Sequence, residues 1–234
     1  MTARRWLVLI AALLGAALTA RLGVWQLDRA QQKVTLQAAI DAEAARPPLG
    51  NADLTGTPLH RRVTLRGTWV AERTVWLDNR PMDGRAGFYV VTPLRLVGRN
   101  DAILVQRGWA PRSQADLRQL PPLTTPAGEV EITGRLAAAP SRAYELGADS
   151  TGAIRQNLDP AAFAVESGLA LLPMTVVQTA PTGADDGLLR HWPAPDLGLH
   201  KHYGYAFQWF ALCALIVGLY VWFQFLRPRF RKQS

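Results

Sequence analysis

The chain is apolar at both ends and polar between them, and this arrangement constrains it more than any motif. Residues 6–20 read WLVLIAALLGAALTA without a charge, and the apolar character resumes past Arg21 as LGVWQL, ending at Leu27. Residues 207–226, FQWFALCALIVGLYVWFQFL, form a second uncharged run. About 20 apolar residues, at a helical rise of about 1.5 Å each, cross a hydrocarbon layer of roughly 30 Å. The sequence therefore predicts a transmembrane helix over 6–27, a polar domain over 28–202, a second transmembrane helix over 203–226 and a basic cytoplasmic tail over 227–234. The lipid bilayer is the first partner it implies.

Charge sets the expected orientation. The chain has 26 Lys and Arg against 18 Asp and Glu, yet residues 28–202 hold 19 basic and 18 acidic side chains. The remaining basic residues are Arg4, Arg5, Arg21, Arg227, Arg229, Arg231 and Lys232, all in the terminal segments. A pI near 10.4 thus records two basic ends and points to no nucleic-acid partner. The positive-inside rule places both ends in the cytoplasm and the domain outside, since long loops translocate largely regardless of charge. The expected location is a bacterial plasma (inner) membrane, crossed twice. Arg21 can snorkel to the outer headgroups, and Trp6 and Trp25 are spaced to mark the two interfaces. A cleaved signal peptide has a similar outline, but Leu18 is large where a cut after Ala20 needs a small residue. The first span is expected to remain as an anchor.

Cysteine usage narrows the chemistry. Cys213 is the one cysteine and lies in the second apolar run, so the outer domain has no disulfide, thiolate zinc site or C-x-x-C-H haem attachment. Zincin, P-loop, dinucleotide and Gly-x-Ser-x-Gly patterns are absent, and His191, His200 and His202 crowd beside the second run. No nucleophile, acid–base pair or metal cluster is visible, so the chain is not expected to be an enzyme.

Within the domain, residues 28–45 are helix formers throughout and should prolong the first span outward, stopping before Pro47 and Pro48. Beyond them, short runs rich in Val, Thr, Ile and Trp alternate with turn residues, predicting strands at 62–66, 74–77, 89–96, 103–106, 130–136 and 174–179. Trp69 and Trp76 flank a short turn at 71–73, which reads as a hairpin. Asp159 followed by Pro160 reads as the N-cap and first turn of a short helix to Ser167. Residues 121–126 read as a loop within one domain. The expected fold class is an α+β membrane protein: two transmembrane helices flanking one extracytoplasmic antiparallel β-sheet or barrel-like domain with a small helix.

The segment from His200 to Phe210, HKHYGYAFQWF, carries the residues that could do chemistry. On a helix His202, Tyr205 and Trp209 fall at i, i+3 and i+7 and share one face. A neutral imidazole at the outer interface can ligate haem iron while aromatic rings contact the macrocycle. The same residue types also serve as plain interfacial anchors. Arg80 and Arg107, beside turn residues at strand ends, can pair with acidic groups inside the domain or face propionates or a partner. The near balance of charge favours internal pairing.

Five segments together resemble the Surfeit locus protein one family of cytochrome oxidase assembly factors. Leu22–Gly23–Val24–Trp25–Gln26–Leu27–Asp28–Arg29 is similar to its L-G-x-W-Q-x-x-R signature. Asp78–Asn79–Arg80–Pro81, with the GFYVVTPL run from Gly87, is similar to its first block. Val105–Gln106–Arg107–Gly108–Trp109–Ala110–Pro111 resembles its R-G-W-V-P block, with Ala110 in place of Val. Gly134–Arg135–Leu136 is similar to a following strand, and His202 through Phe210 to the H-x-x-Y-x-x-x-W motif. The resemblance implies assembly of cytochrome c oxidase, with haem a as the group handled, His202 as its iron ligand and oxidase subunit I or its assembly intermediate as partner. The haem a synthesis machinery is a further candidate partner. Tyr205, Trp209, Trp25 and Arg29 are the accompanying cofactor-binding candidates, with Trp25 and Trp209 as opposite walls and Arg29 facing a propionate. The second reading is a scaffold that stabilises an oxidase intermediate by protein contacts and never touches haem.

Overall fold

The computed structural model describes residues 3–54, 56–113, 119–142, 152–182, 186–193 and 198–227. The chain forms two compact units, one from Met1–Ala39 with Pro195–Ser234 and the other from Ile40–Ala194. Of the basic tail expected over 227–234, all but Arg227 lies outside the described residues.

The first unit is a helix pair. Helix α1 (Ala3–Ala45) runs unbroken through the first apolar stretch and the polar segment after it, stopping short of Pro47 and Pro48. Helix α3 (Leu199–Val221) carries the second apolar stretch and ends in a π-helical turn, Trp222–Leu226. Both are long and apolar enough to cross a membrane. Their large side chains, among them Leu7, Ile10, Leu13, Leu14, Leu18, Phe207, Leu215 and Leu219, are exposed, while the small residues Thr19, Gly23 and Ala206 are buried. That is an inside-out pattern relative to a helix pair in water. Gly23 shows why small residues take the inner side. A Cβ there would lie 2.8 Å from the Phe210 ring, so a side chain would force that ring to move. One and two turns earlier, Thr19 turns its hydroxyl onto the Gly15 carbonyl (2.8 Å), and the Cys213 thiol donates to the Ala16 carbonyl (3.4 Å).

The second unit is a mixed sheet rolled into a barrel. Its strands are β1 (Arg62–Trp69), β2 (Val75–Leu77), β3 (Gly87–Leu96), β4 (Ala102–Pro111), β5 (Glu129–Ala137), β6 (Ile154–Arg155) and β7 (Leu171–Gln178). Their order is β1-β5-β7-β4-β3-β2-β6, and β1 also pairs with β3. The ring β1-β5-β7-β4-β3 therefore closes on itself, with β2 and β6 continuing outside it from β3. Closure removes free edges that would otherwise template aggregation. Alternating residues of β1 and β5 (Val63, Leu65, Val130, Ile132, Leu136) point inward to a core shared with Leu94, Ile103, Val105 and Val176. A second cluster, including Leu77, Tyr89, Trp109, Leu158 and Phe163, packs around α2 (Pro160–Ser167). Asp159 caps α2, its carboxylate accepting from the amides of Ala161 and Ala162 (2.9 Å each).

Two expectations are corrected. The sheet is not purely antiparallel, because β4 pairs with β7 and β2 with β6 in parallel. The chain reaches β7 from β5 through β6 and α2, an excursion long enough for β7 to enter between β5 and β4 with the same direction as β4. The Trp69–Trp76 hairpin does not exist either. Both β1 and β2 run antiparallel to β3, with Trp69 opposite Leu94 and Val75 opposite Val91, so they share one direction. The 3₁₀ turn Ala71–Arg73 takes up slack between them without reversing the chain. Strand β6 is too short to leave a sequence signal.

Trp109 is the keystone of the second cluster. It is fully buried, its indole N–H donates to the Arg80 carbonyl (2.6 Å), and its ring covers Gly87, where any Cβ would collide with it. Trp109→Ala is expected to lower the opening free energy of the barrel by about 3–5 kcal/mol, as measured by native-state hydrogen exchange of barrel amides.

Candidate functional site

Where the apolar stretch of α1 ends, a polar contact joins it to the start of α3. Nδ1 of His202, in the first turn of α3, lies 2.8 Å from the side-chain oxygen Oε1 of Gln26 on α1. Both side chains are half-buried. The contact continues the line of small residues: Gln26 follows Gly23 by one turn, and His202 precedes Ala206 by another. The sequence reading overlooked Gln26 as a partner for His202. Two signals could have found it: an amide between Trp25 and Leu27 that needs a hydrogen-bond partner, and the spacing Gly15-x-x-x-Thr19-x-x-x-Gly23 that lets helices approach.

The other proposed residues divide between two faces. Trp209 is half-buried and lies one turn from Ala206 and from Cys213, on the side of α3 that meets α1. Tyr205 is 53% exposed, at the margin of that side. On α1, Trp25 is 48% exposed and lies about 100° around the helix from Gln26, further still from Gly23. It is covered by Arg29, whose guanidinium carbon stands 5.6 Å from the ring centroid and whose Nη1 donates to Gln32 Oε1 (3.1 Å). A cavity of about 390 Å³ on this side is lined by Leu18, Arg21, Leu22, Val24, Trp25 and Asp28. His202 thus meets Gln26 and Trp25 meets Arg29, while Trp209 lies two turns beyond His202 on α3. Among the described residues no group of three or more His, Cys, Asp or Glu is placed to hold a metal ion.

The arginines of the barrel motifs are interior clamps. Arg80 is buried and donates to the carbonyls of Asp78 (2.8 Å), Ser141 (2.8 Å) and Gln156 (2.7 Å), tying three segments together. Burial pulls its guanidinium below the usual arginine range, partly countered by Tyr89 and Asp78. Arg107, 1% exposed, lies against the face of Trp69 and donates to Thr125 Oγ1 (2.7 Å) and the Thr124 carbonyl (2.9 Å), fastening the proline-rich loop at 121–126. Its carboxylate neighbour, Asp186, stands at 3.9 Å and is held more tightly by Arg190. Gly108 leaves the room for this return segment, since a Cβ there would meet Leu188. The Arg-Gly-Trp triplet therefore builds the barrel, and both arginines are turned inward, though Arg80 binds carbonyls where a carboxylate was expected.

Comparison with known proteins places the chain in a family. The SURF1 family model matches residues 13–214, which take in the whole barrel and most of both long helices. A SURF1-like protein of Monosiga brevicollis is 30% identical over 231 residues, covering 89% of this chain and 83% of that protein. A SURF1-like protein of Drosophila melanogaster is 28% identical over 224 residues, 86% of this chain and 72% of that protein. The cytochrome oxidase assembly protein SHY1 of Saccharomyces cerevisiae is 26% identical over 115 residues, 46% of this chain and 30% of that protein. With this coverage the chain belongs to the SURF1 family.

The barrel's ion pairs fix how it responds to pH. Arg99 donates to both oxygens of Asp101 (2.8 and 2.7 Å), and these bonds hold the Asp101 carboxyl below its ordinary value. Arg155 does the same for Glu166, with Nη1 2.7 Å from Oε2. A carboxyl lowered by folding contributes stability above its unfolded pKa, near 4, and loses it as pH falls through the folded value. Arg107 acts in the same direction at the alkaline end: burial pushes it down to about 10, a cost to stability that is relieved as pH rises past that point. Barrel stability is expected to be nearly level between about pH 5 and 9 and to fall below about pH 4. Arg99→Gln should flatten part of the acid limb, as followed by hydrogen exchange or thermal unfolding against pH.

Proposed function

We propose that this chain is a two-span membrane protein that assists assembly of cytochrome c oxidase by holding haem a at the outer membrane interface and delivering it to subunit I. Family membership and the name of the yeast relative support the assembly role. Two helices with apolar outer surfaces and basic ends support a membrane position with both termini cytoplasmic and the barrel outside.

The observation that carries the haem reading is the placement of His202. Its ring is half-buried near the polar end of the apolar stretches and in contact with Gln26 of the other helix, with Tyr205 and Trp209 one and two turns further along α3. One imidazole fits a haem, whose porphyrin supplies the other donors to iron, better than a bare metal ion, which needs several protein ligands. His202 would hold the iron, Tyr205 and Trp209 would flank the macrocycle, and Arg29, three residues past Gln26, is the nearest guanidinium to it in the sequence for a propionate. Haem here is cargo: its redox chemistry belongs to the finished oxidase. The machinery that synthesises haem a is the natural donor and subunit I, or an intermediate containing it, the acceptor.

Protein solubilised in detergent from cells that make haem a should carry a Soret band that disappears in His202→Ala. A wild-type protein without haem that still copurifies with subunit I would favour the scaffold reading instead. A reporter fused after Ser234 should read cytoplasmic, and an external signal would contradict the orientation.

A further inference from the structure

We propose that Gln26 is a positioning residue for His202: it accepts the proton on Nδ1, fixes that tautomer of the imidazole, and so leaves Nε2 as the ring nitrogen open to a metal centre. The use of that nitrogen rests on the haem reading above, whereas the tautomer itself does not.

Donor and acceptor chemistry decides the tautomer. A side-chain amide oxygen only accepts, and a neutral imidazole has one nitrogen that donates and one that accepts. With Gln26 Oε1 at 2.8 Å from His202 Nδ1, the proton of the neutral ring sits on Nδ1 and the lone pair on Nε2. Metal-binding histidines are commonly oriented in this way, by a hydrogen bond from the ring nitrogen that does not bind the metal.

Packing makes the contact rigid. The Gln26 backbone is one turn from Gly23, where the Phe210 ring packs against α1, and the two helices are held again at Ala16 and Cys213. The distance between positions 26 and 202 is therefore set by packing below them and not by the polar contact alone. Half-burial of both side chains reduces competition from water for the Nδ1 proton. Among the described residues no other hydrogen-bond acceptor meets the His202 ring. The Gln in the first span and the His in the second thus form one unit contributed by two distant parts of the sequence.

The test uses the full chain with ¹⁵N-labelled histidine in phosphatidylcholine nanodiscs, with His202→Ala to assign the resonance. Wild type is expected to show a single Nδ1–H tautomer. Gln26→Leu should give a mixture of tautomers, and Gln26→Met, closer in length and flexibility, should repeat that loss without opening a cavity. Gln26→Glu keeps an acceptor and should restore the Nδ1–H form. In a parallel titration with haemin, Leu and Met at 26 should weaken binding by about 10–100-fold and Glu should recover most of it. A wild-type ring protonated on Nε2, or an unaltered tautomer in both Gln26→Leu and Gln26→Met, would overturn the proposal. If haemin binds none of these proteins, the haem reading falls, while the tautomer measurement still decides the role of Gln26.

Discussion

The close approach of α1 and α3 is the constraint on which the rest of the candidate site depends. Large apolar side chains on the outer surfaces of a helix pair do nothing to hold it together in lipid, because acyl chains solvate them equally well. What remains is packing at small residues and a few interhelical hydrogen bonds. Gly23 supplies the first by leaving room for the Phe210 ring. The Cys213 thiol on the Ala16 carbonyl and the His202–Gln26 contact supply the second. A bulky residue at Gly23 would have to displace the Phe210 ring, disturbing the packing one turn below Gln26.

The barrel solves a different problem. Its motif residues are buried and engaged with its own backbone: Arg80 gathers three carbonyls, Arg107 fastens the 121–126 loop, and Trp109 sits over Gly87. The five segments that mark the family thus sort by physical role. The middle three lie on or beside β3, β4 and β5 of the closed sheet, while the first and last lie on the helix pair and carry its polar contact. Residues that look alike in sequence, such as Arg29 and Arg107, end in different settings, one stacked on an exposed indole and the other sealed in the interior.

Much of this was legible beforehand where the signal is local. Apolar length gave both long helices, β-branched runs gave six of the strands within a few residues, and Asp159–Pro160 marked the start of α2. Direction and partnership were less accessible, because they depend on contacts far apart in the chain. Nothing near Trp69 or Trp76 reveals that their strands run the same way; that follows from both binding β3. The parallel entry of β7 beside β4 is set by the excursion through α2, and β6 has two residues and no pattern. At the candidate site, His202 stood out by residue type, whereas its partner Gln26 lay 176 positions away and was visible only through the polarity it brings to an apolar helix.

Oxidative cross-linking in membranes tests the paired helices most directly. The native Cys213 thiol lies against the Ala16 carbonyl, so a cysteine introduced at Ala16 should form a disulfide with it. Leu14, exposed on another face of α1, serves as the control position. Helices paired in this register give an intramolecular link for Ala16→Cys, seen as joined helix fragments after cleavage in the barrel loops, and none for Leu14→Cys. Equal linking at both positions, or linking at Leu14→Cys alone, would contradict the helix register that brings His202 to Gln26.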